Sequence, residues 1–202
     1  RVKSLEGLRY QPPGEWGKLL GLDRAPEVRT LREKVKHLAD TGQPLPWSAA
    51  LCLDWMDAAP AQAQVCYIDG HVRVYHGDQT ALPRHYVSRQ RLCLRAAVDY
   101  WVNAMDGQPF FVVPQDVDPG LIKVLENQIL PRLSQEIPGQ PSPETLAADP
   151  WLQRFTAVFD REGYSPHLLA RMWQQRIAGL TYRKRPGEEW PAEEFAAHEV
   201  RL

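Results

Sequence analysis

The strand-like segments in the middle of this chain limit its fold more than any other feature of the sequence. Two β-rich runs, residues 65–68 and 71–75, flank the dipeptide Asp69-Gly70. Asp-Gly between such runs is a strong short-range signal for a tight hairpin turn. Further runs rich in β-branched and aromatic residues follow at 97–102 and 109–113. The sequence therefore predicts an antiparallel meander.

The second half of the chain alternates helix and strand patterns. Apolar residues at helical spacing predict a helix over 121–137, and a proline-rich loop follows it. The stripe expected to pack on the sheet is Leu121, Ile122, Leu125, Ile129 and Leu133, and the residues expected to face water are Glu126, Gln128 and Arg132. The apolar run 155–159 predicts a buried strand, Ser165-Pro166 opens a helix to about residue 175, and 177–182 returns as a strand. Antiparallel strands followed by α/β crossovers predict an α/β fold with a mixed sheet and helices on its faces. Among common folds, this order best matches the ribonuclease H-like arrangement.

Two helices are predicted before the first strand. Apolar residues three and four apart indicate an amphipathic helix over 26–39, and a second apolar run, 48–56, begins with Ser48 as its N-cap. Such a pair is either a DNA-binding helix-turn-helix or, more commonly, plain helix packing. The predicted segments are an N-terminal helical segment, 1–62, a ribonuclease H-like catalytic core, 63–185, and the start of an inserted or truncated region, 186–202.

Composition excludes several classes of protein. The 24 Lys and Arg residues against 25 Asp and Glu give a net charge of -1, which predicts no chain-wide attraction to nucleic acid. No stretch approaches the roughly 18 apolar residues of a membrane span, and no secretory leader is visible. A nucleotide-binding glycine-rich loop is also missing. The three cysteines lack the spacing of a metal site, so we interpret them as reduced, buried thiols of a cytoplasmic protein.

Asp69 and Asp160 each follow a predicted core strand, which makes them the strongest candidates for chemistry. Active sites collect at the carboxyl ends of strands in open α/β sheets, and these two strands are neighbours in the predicted fold. Neighbouring carboxylates repel unless a hard divalent cation, Mg²⁺ or Mn²⁺, binds both. We therefore predict that both aspartates are catalytic residues and metal ligands. The alternative is that each is an ordinary turn former, and that Glu162 is simply an acid favoured at a helix start.

Basic residues concentrate in two segments. The first contains Arg84, His85, Arg89, Arg91 and Arg95, and the second contains Arg183, Lys184 and Arg185. Clusters of this kind are commonly solvated faces, and phosphate contacts are the functional alternative. We predict DNA contacts for Arg89, Arg91, Arg183, Lys184 and Arg185.

Four segments carry a resemblance to a known family: 20–32, 67–77, 108–113 and 159–165. They resemble bacterial insertion-sequence transposases of the DDE type, and the similarity extends from about Leu19 to Phe195. The resemblance implies a ribonuclease H-like core in which Asp69 and Asp160 are the first two catalytic acids. The third acid of that family is a Glu on a later helix. Glu188, Glu189, Glu193, Glu194 and Glu199 do not lie in the expected motif, so the catalytic Glu is predicted to lie outside this chain.

The implied activity is Mg²⁺- or Mn²⁺-dependent cleavage of DNA at transposon ends and joining of the 3′-hydroxyl to target DNA. The expected partners are transposon-end and target DNA and a second copy of the chain in a homodimer, without a membrane. Two alternatives stay open. One is a non-catalytic DNA-binding or assembly protein derived from a transposase, and the other is a stand-alone nuclease that cuts without joining.

Overall fold

The computed structural model describes residues 4–77, 80–87 and 90–184, together with Glu193. Contacts within the chain divide it into two compact units, Arg1–Leu51 and Cys52–Leu202. The assignment of separate roles to segments 1–62, 63–185 and 186–202 stays a prediction. Within the described part of the chain, no helix combines the length and the apolar character needed to cross a bilayer.

The N-terminal unit is helical, as the sequence predicted. It contains a 3-10 helix (Leu5–Tyr10), α1 (Pro13–Leu19) and α2 (Val28–Asp40), and it includes the beginning of α3 (Pro44–Ala58). Gly42 follows the end of α2 with a φ of 66°, a left-handed conformation that glycine adopts without steric penalty. This turn separates α2 from α3.

Part of the prediction for these two helices needs correction. α3 begins at Pro44 instead of next to Ser48. Proline is compatible with a first helical turn, since the N–H that it lacks would have no intrahelical partner there. Val35 and Leu38, which belong to the apolar stripe of α2, are 55% and 57% exposed.

A six-stranded sheet forms the centre of the second unit. Its strands are β1 (Val65–Val74), β2 (Arg84–Val87), β3 (Leu92–Asn103), β4 (Pro109–Gln115), β5 (Phe155–Phe159) and β6 (Ile177–Leu180). The strand order is β2-β3-β1-β5-β6, and β4 also pairs with β3. β1 is antiparallel to β3 and parallel to β5, which is parallel to β6. The predicted mixed α/β fold is confirmed, and the strand order is consistent with a ribonuclease H-like arrangement.

The predicted hairpin at Asp69-Gly70 is wrong, because both residues lie inside the continuous strand β1. β1 pairs with β3 on both sides of this dipeptide. Gly70 is directly opposite Tyr100, and a Cβ atom at position 70 would lie 3.0 Å from Cε1 of that ring. The glycine therefore leaves room for an aromatic ring of the neighbouring strand and does not form a turn.

Helices precede the sheet and connect its later strands. They are α4 (Pro60–Ala63), α5 (Leu121–Val124), α6 (Leu130–Glu136), α7 (Pro143–Ala148), a 3-10 turn (Arg161–Gly163) and α8 (Pro166–Gln174). α5 continues into α6 through a π-helical turn, Leu125–Ile129. The ring of Pro131 would clash with the carbonyl four residues earlier in a regular α-helix, and the wider turn relieves that clash. The predicted helices over 121–137 and after Ser165 are confirmed.

The helix that runs from α5 to α6 contributes the predicted apolar stripe to the core of the second unit. The buried members of the stripe are Leu121, Leu125, Ile129 and Leu133, and the same core contains Ile68 and Phe159 from the sheet. Full burial of each aliphatic side chain stabilises the fold by roughly 1.5 to 3 kcal/mol. These contacts fix the helix next to the strands that carry the candidate site.

The polar face of this helix differs partly from the prediction. Gln128 is exposed as expected, whereas Glu126 and Arg132 are half-buried. Glu126 accepts from Arg171 at 3.0 Å, so its carboxylate is drawn toward α8. The guanidinium of Arg132 lies over the Phe111 ring, 3.9 Å from its centroid, a cation–π contact.

The cysteines fall into two environments. Cys52 and Cys66 are buried as predicted, but Cys93 on β3 is exposed, which corrects the expectation of three buried thiols. At residue 93, β3 pairs with β2, whereas its pairing with β1 begins only at Ala96. The side chain of Cys93 therefore lies outside the central part of the sheet. Burial raises the pKa of Cys66 to about 12 and that of Cys52 to about 11, the latter with a contribution from the charge of Glu136.

Candidate active site

The register of the two central parallel strands sets the geometry of the candidate site. Ile68 of β1 is opposite Phe159 of β5, and both side chains are buried. Successive residues of a strand project to opposite faces, so the next residues, Asp69 and Asp160, project away from this core. Both aspartates are exposed. Asp69 within β1 and Asp160 directly after β5 therefore each follow one member of a register pair on neighbouring strands.

Each aspartate is held by a different local structure. Asp69 lies within β1, opposite Trp101 of β3, so its backbone is fixed by pairing on the sheet. Asp160 follows the last residue of β5 and is the N-cap of a 3-10 turn, where its Oδ1 accepts from the N–H of Glu162 at 2.9 Å. The hydroxyl of Thr181 donates to the backbone carbonyl of Asp160 at 2.8 Å. Both carboxylates are thus attached to ordered backbone.

A buried tyrosine links the sheet to the start of the long helix. The hydroxyl of Tyr100 donates to Oδ1 of Asp118 at 2.6 Å, and the N–H of Gly120 donates to the same oxygen at 2.8 Å. Burial raises the pKa of Tyr100, and the hydrogen bond to Asp118 and the charges of Glu162 and Asp160 raise it further. Tyr100 is therefore a neutral phenol whose ring lies against Gly70, on the face of the sheet opposite to the side chain of Asp69.

Sequence reasoning missed the pair formed by Tyr100 and Asp118. Asp118 precedes Pro119-Gly120, which indicated only a turn before a helix. Tyr100 lies in a run of five consecutive buried residues, 96–100, so alternation along β3 indicated neither its role nor its partner. The hydrogen bond depends on contact between β3 and the loop before α5, which the local sequence around either residue does not encode.

The ligand chemistry of the site fits a divalent cation only in part. Asp69 and Asp160 offer the carboxylate oxygens that Mg²⁺ and Mn²⁺ prefer. Over residues 4–77, 80–87 and 90–184 and at Glu193, however, no group of three or more His, Cys, Asp or Glu side chains is arranged to hold a metal ion. The other glutamates considered for the third position, Glu188, Glu189, Glu194 and Glu199, lie outside the described residues. The metal and catalytic roles of the two aspartates stay predictions.

Comparison with known proteins defines the family. The profile of the family described as "Transposase protein" matches residues 1–202 of this chain. This chain belongs to that transposase family. Among curated proteins, none matches the sequence. The function of the chain is accordingly that of a transposase, which acts on DNA.

The predicted DNA-binding residues of this transposase occupy separate places. β6 ends at Leu180, and Arg183 and Lys184 follow it in exposed positions, shortly after the Thr181 that bonds Asp160. Arg91 is exposed in the turn between β2 and β3, where its φ is 53°. Arg89 and Arg185 lie outside the described residues. Contacts of all five with DNA stay predictions.

Proposed function

We propose that this transposase is of the DDE type and that Asp69 and Asp160 are two of its catalytic acids. In this proposal the enzyme cleaves DNA at the ends of an insertion sequence and joins the 3′-hydroxyl to target DNA. The observation that supports the proposal best is the register of Ile68 with Phe159, since each of the two carboxylates directly follows one member of this pair on parallel strands. A homodimer and a cytoplasmic location remain expectations.

In this proposal, the fold of the chain orients the two carboxylates, and a bound metal ion supplies the chemistry. Asp69 is held within a paired strand and Asp160 is held by the Glu162 N–H, so the backbone that carries each carboxylate is fixed without a metal ion. Bound Mg²⁺ or Mn²⁺ would supply Lewis-acid stabilisation of the leaving oxygen and activation of a water or 3′-hydroxyl. The neutral Tyr100 adds no negative charge near Asp160.

A second candidate function is a non-catalytic DNA-binding or assembly protein derived from a transposase. The observation in its favour is that the described residues contain no three-acid group able to hold a metal ion. Two carboxylates bind a divalent ion less tightly than three. Under this alternative the chain binds DNA with or without the ion and does not cut it.

Substitution of the two aspartates tests the proposal. The variants are Asp69→Asn and Asp160→Asn, since an Asn at position 160 retains an oxygen that accepts from Glu162. Asp149→Asn is a matched control, because Asp149 is also exposed and also accepts from the N–H two residues later, at 2.8 Å. The measurements are binding of a labelled duplex, thermal melts with and without Mn²⁺, nicking of supercoiled plasmid, and joining of an oligonucleotide 3′-end to that plasmid.

The expected results separate the alternatives. A ligand at 100 times its dissociation constant stabilises the folded state by about 2.7 kcal/mol, so Mn²⁺ should raise the melting temperature of the wild type and of Asp149→Asn. The rise should be lost in Asp69→Asn and Asp160→Asn, together with any nicking. Equal rises in all four proteins would contradict the proposal. Nicking without joining would indicate a nuclease, and DNA binding without either reaction would favour the assembly protein.

A further inference from the structure

A strongly basic β-ribbon extends the sheet beyond its central strands. The ribbon consists of β2 and residues 92–95 of β3, which pair with each other from Arg84 opposite Arg95 to Val87 opposite Leu92. Pairing of β3 with β1 begins only at Ala96. Residues 80–95 contain four arginines and no acid, in a chain whose net charge is -1. The ribbon is therefore a local positive region in a nearly neutral protein.

The arrangement of two of these arginines is unfavourable by itself. Arg84 and Arg95 are directly opposite each other on antiparallel strands, and both are exposed. Like charges at such positions destabilise a sheet. Within the described part of the chain, neither forms an ion pair, whereas Arg73 on β1 is bound to Asp99 at 3.0 Å. An anion between Arg84 and Arg95 would remove the repulsion.

The ribbon and the candidate active site share one face of the sheet. Arg84 projects to the same side as Arg95, and alternation along β3 places Arg95 and Trp101 on one face. Asp69 is directly opposite Trp101, and the pairing of β1 with β3 runs without a register shift from Tyr67 to Val74. At about 3.3 Å per residue, the six residues from Arg95 to Trp101 span about 20 Å.

We propose that the ribbon binds the DNA backbone, with Arg84 and Arg95 holding one phosphate about 20 Å from Asp69. Base pairs advance about 3.4 Å along the duplex axis, so a separation of about 20 Å corresponds to about six base pairs of axial rise between this phosphate and the one at Asp69. A two-stranded ribbon of this size also fits a DNA groove. The distance to the reacting phosphate rests on the proposed function, whereas DNA binding by the ribbon does not.

The first test is a binding titration without divalent ions. A fluorescent 30-base-pair duplex is titrated with the full chain, with Arg84→Gln, with Arg95→Gln and with the double variant, at several salt concentrations. Arg24→Gln/Arg29→Gln is the matched control, because it removes the same charge from exposed arginines of the N-terminal unit. Melting temperatures of the ribbon variants should be equal to or above that of the wild type, since the repulsion is relieved.

Each single ribbon variant should weaken binding about tenfold near 0.1 M salt and reduce the slope of log K against log salt by about 0.9. The double variant should lose less than the sum of the two, because both arginines hold one phosphate. Wild-type affinity in the double variant would overturn the proposal, as would an equal loss in the control or no binding of the duplex by the wild type.

Cys93 provides an independent readout on the same face. It lies two residues before Arg95 and is exposed, whereas Cys52 and Cys66 are buried. The duplex should slow modification of Cys93 by a maleimide in the wild type but not in Arg84→Gln/Arg95→Gln, and an unchanged rate in the wild type would contradict the proposal. If the ribbon variants bind the duplex normally and cleavage still depends on the aspartates, DNA binding by the ribbon is refuted and the proposed function is not. If the ribbon variants lose duplex binding but Asp69→Asn and Asp160→Asn respond to Mn²⁺ like the wild type, the proposed function is refuted and DNA binding by the ribbon is not.

Discussion

Replacing Gly70 by Ala tests whether the Asp69-Gly70 dipeptide is held in a strand by the ring of Tyr100. The added methyl would begin 3.0 Å from Cε1 of Tyr100 and 3.4 Å from Cδ1, closer than relaxed packing allows. Overpacking of this kind costs about 1 to 3 kcal/mol, and the reduced freedom of the unfolded chain offsets about 0.4 to 1 kcal/mol. We expect Gly70→Ala to lower the free energy of unfolding by about 1 to 2 kcal/mol, measured by urea denaturation followed by circular dichroism.

A double-mutant cycle identifies the cause of this loss. Tyr100→Val removes the ring, so Gly70→Ala should become neutral or slightly stabilising in that background, with a coupling energy of about 1.5 kcal/mol. Gly14→Ala is the control, since its added methyl meets nothing within 4 Å and replaces a helical glycine. If Gly70→Ala costs the same with and without the ring, the penalty comes from a turn-like φ, and the continuous strand is refuted.

The remaining predictions concern thiols and a helix cap. At pH 8 one thiol per folded chain, Cys93, should react with a colorimetric thiol reagent, and all three should react in denaturant; three fast thiols in the native state would contradict the burial of Cys52 and Cys66. The raised pKa of Cys66 keeps its thiol protonated in the folded state, whereas the thiol of the unfolded chain ionises from about pH 9. The free energy of unfolding should therefore fall between pH 9 and 12, by about 1.4 kcal/mol at pH 10. Cys66→Ser should not show this loss. Ser165→Ala should lower stability by about 1 kcal/mol in urea, because Oγ of Ser165 accepts from the Leu168 N–H at the start of α8, and Ser165→Asp should restore it.

Local sequence patterns determined most of the regular elements of the second unit. The apolar run at residues 155–159 became β5 with the predicted bounds, and Ser165 caps α8 as expected. Of the predicted stripe, Ile122 is half-buried and the other four members are buried: Leu121, Leu125, Ile129 and Leu133. These elements were predictable because side-chain spacing and capping act within a few residues of one another. The two aspartates were found for the same reason, since each follows an apolar run.

Only the tertiary structure decided what those elements do where they meet. Asp-Gly favours a tight turn over a short range, but pairing with β3 on both sides of Gly70 and the ring of Tyr100 above it require extended backbone. The exposure of Cys93, the hydrogen bond from Tyr100 to Asp118 and the opposition of Arg84 and Arg95 likewise depend on strand register. Register is set by contacts between residues distant in sequence, and a shift of one residue would move every one of these side chains to the other face.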